Sequence, residues 1–133
     1  MIFLKLYLIS LAIFLGIDMV WLTLLAKNFY AKQIGYLTTK NPNLLAALIF
    51  YLIFIAGLVV FVINPALDKK MWSQALLLGA FFGLVTYATY DLTNLATIKD
   101  WPFILTVVDL LWGMSLSATV SFLTYLIARK LGI

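Results

Sequence analysis

The chain has no cysteine, no histidine and no glutamate among its 133 residues. The first absence removes disulfides and thiolate chemistry. All three together deprive a catalytic zinc, di-iron, haem or thiol centre of its usual ligands. No Ser–His pair exists for a serine hydrolase. No glycine-rich nucleotide loop is present either; "GAFFG" is a packing pattern inside an apolar run. No metal and no cofactor are therefore expected. Charge is scarce, at 11% of residues with a net +4. The basic residues are scattered at segment ends, which suits membrane flanks and gives no reason to expect nucleic acid as a partner. The acidic residues are Asp18, Asp68, Asp91, Asp100 and Asp109. What remains possible is carboxyl chemistry: proton relay, hard-cation binding through oxygen, or general acid–base catalysis.

Apolar residues are what the chain has in excess. They make up 65% of it, and the mean hydropathy is +1.12. A soluble domain of this size would expose too much apolar surface, so the composition belongs to an integral membrane protein whose first partner is the lipid bilayer. Four apolar segments stand out, at residues 3–26, 44–63, 73–97 and 102–128. Each is about 20 to 27 residues, enough to cross about 30 Å of hydrocarbon as a helix. The first continues past "MIFLKLYLISLAIFLGID" into "MVWLTLLA" without a cleavage signature, and is expected to be a retained transmembrane helix.

Punctuation falls between the segments. Pro42 in "TTKNPN" suits the first turn of the second helix. "INPALDKK" is expected to end that helix at Asn64-Pro65. The short link "IKDWP" makes the third and fourth helices antiparallel neighbours. The expected fold is thus an all-α membrane protein, one domain over residues 1–133. It is a four-transmembrane-helix bundle with antiparallel neighbours and both termini on the same side. Lys5, Lys69, Lys70, Arg129 and Lys130 flank that side; Lys27, Lys32, Lys40 and Lys99 flank the other. The positive-inside rule favours cytoplasmic termini by this narrow margin. The longest connection, residues 27–43, sets aromatics beside lysines, as an interfacial amphipathic segment or a wet loop would.

Asp18 lies late in the first helix, Asp91 late in the third and Asp109 early in the fourth. In an alternating topology all three fall near one side, each about 9 to 12 Å inside the helix end. Helical spacing puts Gly79, Gly83, Tyr87, Asp91 and Asn94 on one stripe, with Tyr90, Thr93 and Thr97 alongside. Thr106, Asp109, Gly113, Ser117, Ser121 and Thr124 form another. Both stripes carry small-x-x-x-small spacing, which lets helices approach closely, so the carboxyls are expected to face the bundle interior. "DMVW" (Asp18 to Trp21) and "DLLW" (Asp109 to Trp112) each set a tryptophan one turn after an aspartate. Its indole N–H can serve a carboxyl on a neighbouring helix, or its ring can shield one from lipid. A buried carboxyl costs about 2.5 to 3.5 kcal/mol at a helix centre. Two readings compete for such a layer. In one, the aspartates lock helices together through Tyr, Trp, Thr and Asn donors. In the other, Asp18, Asp91, Asp109, Asn94, Tyr87, Tyr90, Thr93, Trp21 and Trp112 border a polar cavity that holds a ligand or a proton.

The segments "YATYDLTNLATIKDWP", "TVVDLLWG", "IDMVWL", "KNFY" and "FYLIFIAGLVVFVINPAL" closely resemble the bacterial membrane-protein family catalogued as domain of unknown function 2177. The resemblance covers nearly the whole chain. It implies a four-helix protein of the bacterial inner membrane. It also implies that Asp18, Trp21, Asn28, Tyr30, Tyr87, Tyr90, Asp91, Thr93, Asn94, Asp109 and Trp112 belong to the family pattern. It supplies no activity. Three functions therefore stay open. The first is binding or transport of a proton, cation or small amphipathic solute, in which four helices would call for a homodimer. The second is a membrane-embedded enzyme acting on a lipid or isoprenoid by carboxyl acid–base chemistry. The third is a structural or assembly subunit.

Overall fold

A computed structural model describes residues 1–133, which are helical with no strand. Its helices are α1 (Ile2–Val20), α2 (Lys27–Ile34), α3 (Leu44–Leu58), α4 (Asn64–Lys69), α5 (Trp72–Thr97) and α6 (Phe103–Lys130). Four spans are long and apolar enough to cross a membrane: Ile2–Leu25, Leu44–Lys69, Trp72–Thr97 and Phe103–Lys130. In hydrocarbon a helix satisfies its backbone polar groups internally, so uninterrupted apolar runs of this length take that form.

The helix ends follow local chemistry, with two departures from the sequence expectation. Asn43 caps α3, its side-chain oxygen accepting the Ala46 N–H at 3.1 Å. Pro42 therefore lies outside the helix, not in its first turn. The second departure is larger. Residues Val59–Ile63 form a π-helical turn, Pro65 occupies the first turn of α4, and the span runs on to Lys69. The wider turn before Pro65 accommodates its ring and its missing N–H within one continuous span. Asn64-Pro65 is thus carried through instead of ending the span. The chain reverses at Lys70, which takes the left-handed conformation at φ 55°.

Helices α5 and α6 pack antiparallel along their small-residue stripes. A Cβ on Gly79 would meet the Ala118 Cα and the Ser117 carbonyl oxygen, each at 2.9 Å, while one on Gly83 would collide with the Gly113 carbonyl. Only glycine permits this approach, and dispersion across the seam is what joins helices where lipid is as apolar as the partner. One turn further along, the Tyr87 ring fills the space beside Gly113. In the first span, Phe14 packs edge-on to Tyr51 and against Phe54 of α3. One core unites Leu6, Phe14, Ile55, Val59, Leu116, Val120 and Ala128. It fills the bundle toward the start of α1 and the end of α6. Toward α2 the bundle is hollow.

Candidate functional site

The hollow is a cavity of about 710 Å³. The first span contributes Asp18, Trp21 and Leu22; α6 contributes Asp109 and Trp112. Tyr30, Ala31 and Ile34 of α2 close one end, while Phe50 and Tyr51 of α3 face Thr86, Tyr87 and Tyr90 of α5. α3 and α5 meet where Phe54 touches Phe82 and Tyr87. Nearer the start of α3, the lining residues Ala47, Phe50 and Tyr90 of these two helices are exposed. The cavity therefore opens sideways between these helices.

Four helical segments fix the two carboxyls on its wall. Asp18 Oδ1 accepts the Trp112 indole N–H at 3.3 Å, and its Oδ2 accepts the Tyr51 hydroxyl at 3.1 Å. Asp109 Oδ1 accepts the Tyr30 hydroxyl at 2.6 Å, and Tyr30 in turn accepts the Trp21 indole N–H at 3.0 Å. The two indoles stack with ring centroids 4.2 Å apart and planes 8° from parallel. Each Asp-x-x-Trp pair is thus crossed: Trp112 serves the aspartate of the first span directly, and Trp21 serves that of α6 through Tyr30. Every one of these donors is neutral.

α2 owes its position to the π turn at Trp21–Leu25, where the Ala26 N–H donates to the Trp21 carbonyl at 2.8 Å. A widened turn shifts the residues after it around the helix axis. The chain then leaves the first span at the buried Ala26 and brings Tyr30 over the cavity. Burial, reinforced by the hydrogen bond to Asp109, pushes the Tyr30 phenol well above its ordinary range, so it stays a donor.

Asp91 stands behind this wall, fully buried beside the Asp109 carboxyl. No hydroxyl, amide or indole proton reaches either Asp91 oxygen. Of the nine residues singled out in the sequence, Asp18, Trp21, Tyr87, Tyr90, Asp109 and Trp112 line the cavity. Asp91 touches it only through Asp109. Thr93 is exposed on the outer face of α5, and Asn94 lies beyond Tyr90; neither lines the cavity. The three carboxyls do not gather into a group able to hold a metal ion.

Tyr51 and Phe50 lie outside that sequence set, and Tyr30 was marked only through the family resemblance. The signal for Tyr51 was faint: its hydroxyl is the one side-chain polar group in "LLAALIFYLIFIAGL". A lone hydroxyl in a span needs a partner, but the sequence does not say where. Lys27 stands at the cavity mouth, exposed and bonded to neither carboxyl.

No curated protein and no solved structure matches the chain. A family model does match, over residues 3–126, so it takes in all four spans almost to the end of α6 along with every residue of the crossed Asp–Trp network. The chain belongs to the family described as predicted membrane protein, DUF2177.

Proposed function

We propose that the cavity binds a small amphipathic solute taken from the bilayer. The apolar part enters between α3 and α5, and the polar head meets Asp18 and Asp109. One observation carries this reading: two carboxyls, each pinned by neutral donors, share a drug-sized cavity whose other walls are aromatic and aliphatic. Helix-locking alone leaves such a space without a purpose, because packing would close it. The packed core between the cavity and the opposite end of the bundle favours binding from one side over an open path through the protein.

The enzymatic reading rests on Asp91. Neighbouring carboxyls repel when both are ionised, and this pair lies against the cavity. A head group placed on Asp109 would meet a carboxyl with a proton to exchange.

The test uses an alkyl diol with a photoactivatable tail, applied to the protein in lipid nanodiscs. Saturable labelling should concentrate on Phe50, Tyr87 and Trp112. Ala47→Phe, which narrows the rim without touching a carboxyl, should reduce it about fivefold or more. Labelling spread evenly over lipid-facing residues and indifferent to Ala47→Phe would refute the cavity as a binding site.

A further inference from the structure

We propose that the head group this cavity selects is an organic cation, an alkylammonium carried on an apolar tail. The proposal rests on the amphipathic-solute reading above and adds the chemistry of the head.

Charge gives the first argument. Asp18 and Asp109 both line one low-dielectric space. Their hydrogen-bond partners are phenols and indoles, which orient a carboxylate without neutralising it. Asp109 is nine-tenths buried, and its Oδ1 accepts the Tyr30 hydroxyl. An anionic head would face two carboxyls. A neutral head would leave the charge of the carboxyls in place.

The aromatic walls give the second argument, independent of the first. Trp21 and Trp112 present their stacked indoles beside the two carboxyls, and Tyr51, Tyr87 and Phe50 complete the surround. Ring faces attract cations, most of all large, weakly hydrated ones. Such surfaces offer nothing to a hydrated inorganic ion. A hard divalent cation wants six or more oxygens, and the carboxyls here do not form a metal-holding group. A soft organic ammonium asks for what the site has: dispersed negative charge, ring faces and no requirement for directional lone pairs.

Lys27 fits this scheme as a competitor. It is the basic residue on the cavity lining, and it stays at the mouth without pairing to either carboxyl. It therefore opposes a second cation at the rim.

The experiment measures competition against the photoactivatable alkyl diol. The competitors are octyltrimethylammonium and its uncharged carbon isostere, with a tert-butyl head in place of the ammonium. The readout is the ratio of their half-blocking concentrations within each variant, so a weakened cavity does not mask the result. In the wild-type protein the ammonium should win by about tenfold or more. Asp18→Asn and Asp109→Asn should each shrink the ratio by about threefold or more, their combination should bring it near one, and Lys27→Met should raise it. Melting of each variant in detergent confirms that it is folded. A wild-type ratio near one, with cavity labelling intact, overturns the cation and leaves the amphipathic-solute reading standing. A ratio that survives the double substitution also overturns it. Failure of the diol to label the cavity removes the parent reading first.

Discussion

Trp21 and Trp112 lie face to face, 4.2 Å apart and nearly parallel, each one helical turn after an aspartate on its own helix. Their indole N–H groups point to different acceptors, Tyr30 and Asp18. The stack therefore couples the first span to α6 twice, through ring contact and through the two crossed hydrogen-bond paths. Trp112→Phe keeps much of the stack and removes the donor to Asp18. It should lower thermal stability in detergent by about 0.5 to 1.5 kcal/mol. Trp21→Phe should cost a similar amount. The double variant should lose less than the two together, because both share one stack. Strict additivity of the melting shifts would show that the rings are not coupled.

Gly83 and Gly16 make a matched pair. A side chain at Gly83 would collide with the Gly113 backbone, whereas nothing lies within 4 Å of a Cβ at Gly16. Gly83→Ala should destabilise by about 1 to 3 kcal/mol through forced separation of α5 and α6. Gly16→Ala should be neutral or slightly stabilising. Equal melting temperatures for the two variants would contradict the close seam.

Tyr30 holds α2 over the cavity. Tyr30→Phe should release that hold, seen as faster hydrogen exchange across Lys27–Ile34 with little change in α5 and α6. The same bond has a pH signature. The Tyr30 phenol is raised in the folded protein by burial and by Asp109. Its contribution is therefore fully present below the unfolded phenol value of about 10 and is lost only as pH climbs through the higher folded value. The protection factor of α2, which corrects for base-catalysed exchange, should hold steady until above about pH 10, and Tyr30→Phe should remove the fall beyond it. A loss of α2 protection between neutrality and that point would contradict the assignment.

Asp91 separates proton chemistry from packing. Asp91→Asn preserves the shape and puts an amide donor against Asp109. It should melt within about 1 kcal/mol of the wild-type protein and still bind the alkyl diol. If the cavity is catalytic, that variant binds but does not turn over, because the exchangeable proton is gone. An Asp91→Asn protein that has lost the diol site would instead make Asp91 part of the binding wall.

The flanking charges predict that both termini face the cytoplasm. Cysteine introduced beside Met1 and Ile133 should resist membrane-impermeant reagents in intact cells and react after permeabilisation. One introduced at Thr39, in the connection before α3, should react in intact cells. Opposite behaviour of the two termini would rule out four crossings.

The sequence by itself determined the spans and the α5–α6 seam. Apolar runs of span length have only the helix as a backbone solution in lipid, and glycine at four-residue spacing needs no partner's identity to mark a close face. It also determined that Asp18 and Asp109 share a depth, since rise per residue is fixed. It could not determine the end of the second span, because a proline stops or continues a helix according to the turn before it, and the π turn at Val59–Ile63 is a tertiary outcome. Nor could it separate Asp91 from the cavity wall. Asp91 shares a stripe with Tyr87, but Tyr87 reaches the cavity past Gly113 while Asp91 is covered by Asp109, and a stripe does not record how far side chains extend. Thr93 and Asn94 fell away for a related reason: α5 turns Thr86, Tyr87 and Tyr90 to the hollow, and the next turn lies past its end. Tyr30 and Tyr51 joined the site only through folding. A hydroxyl's acceptor 79 or 33 residues away is chosen by where α2 and α3 dock, and that docking depends on packing around a cavity that no local pattern encodes.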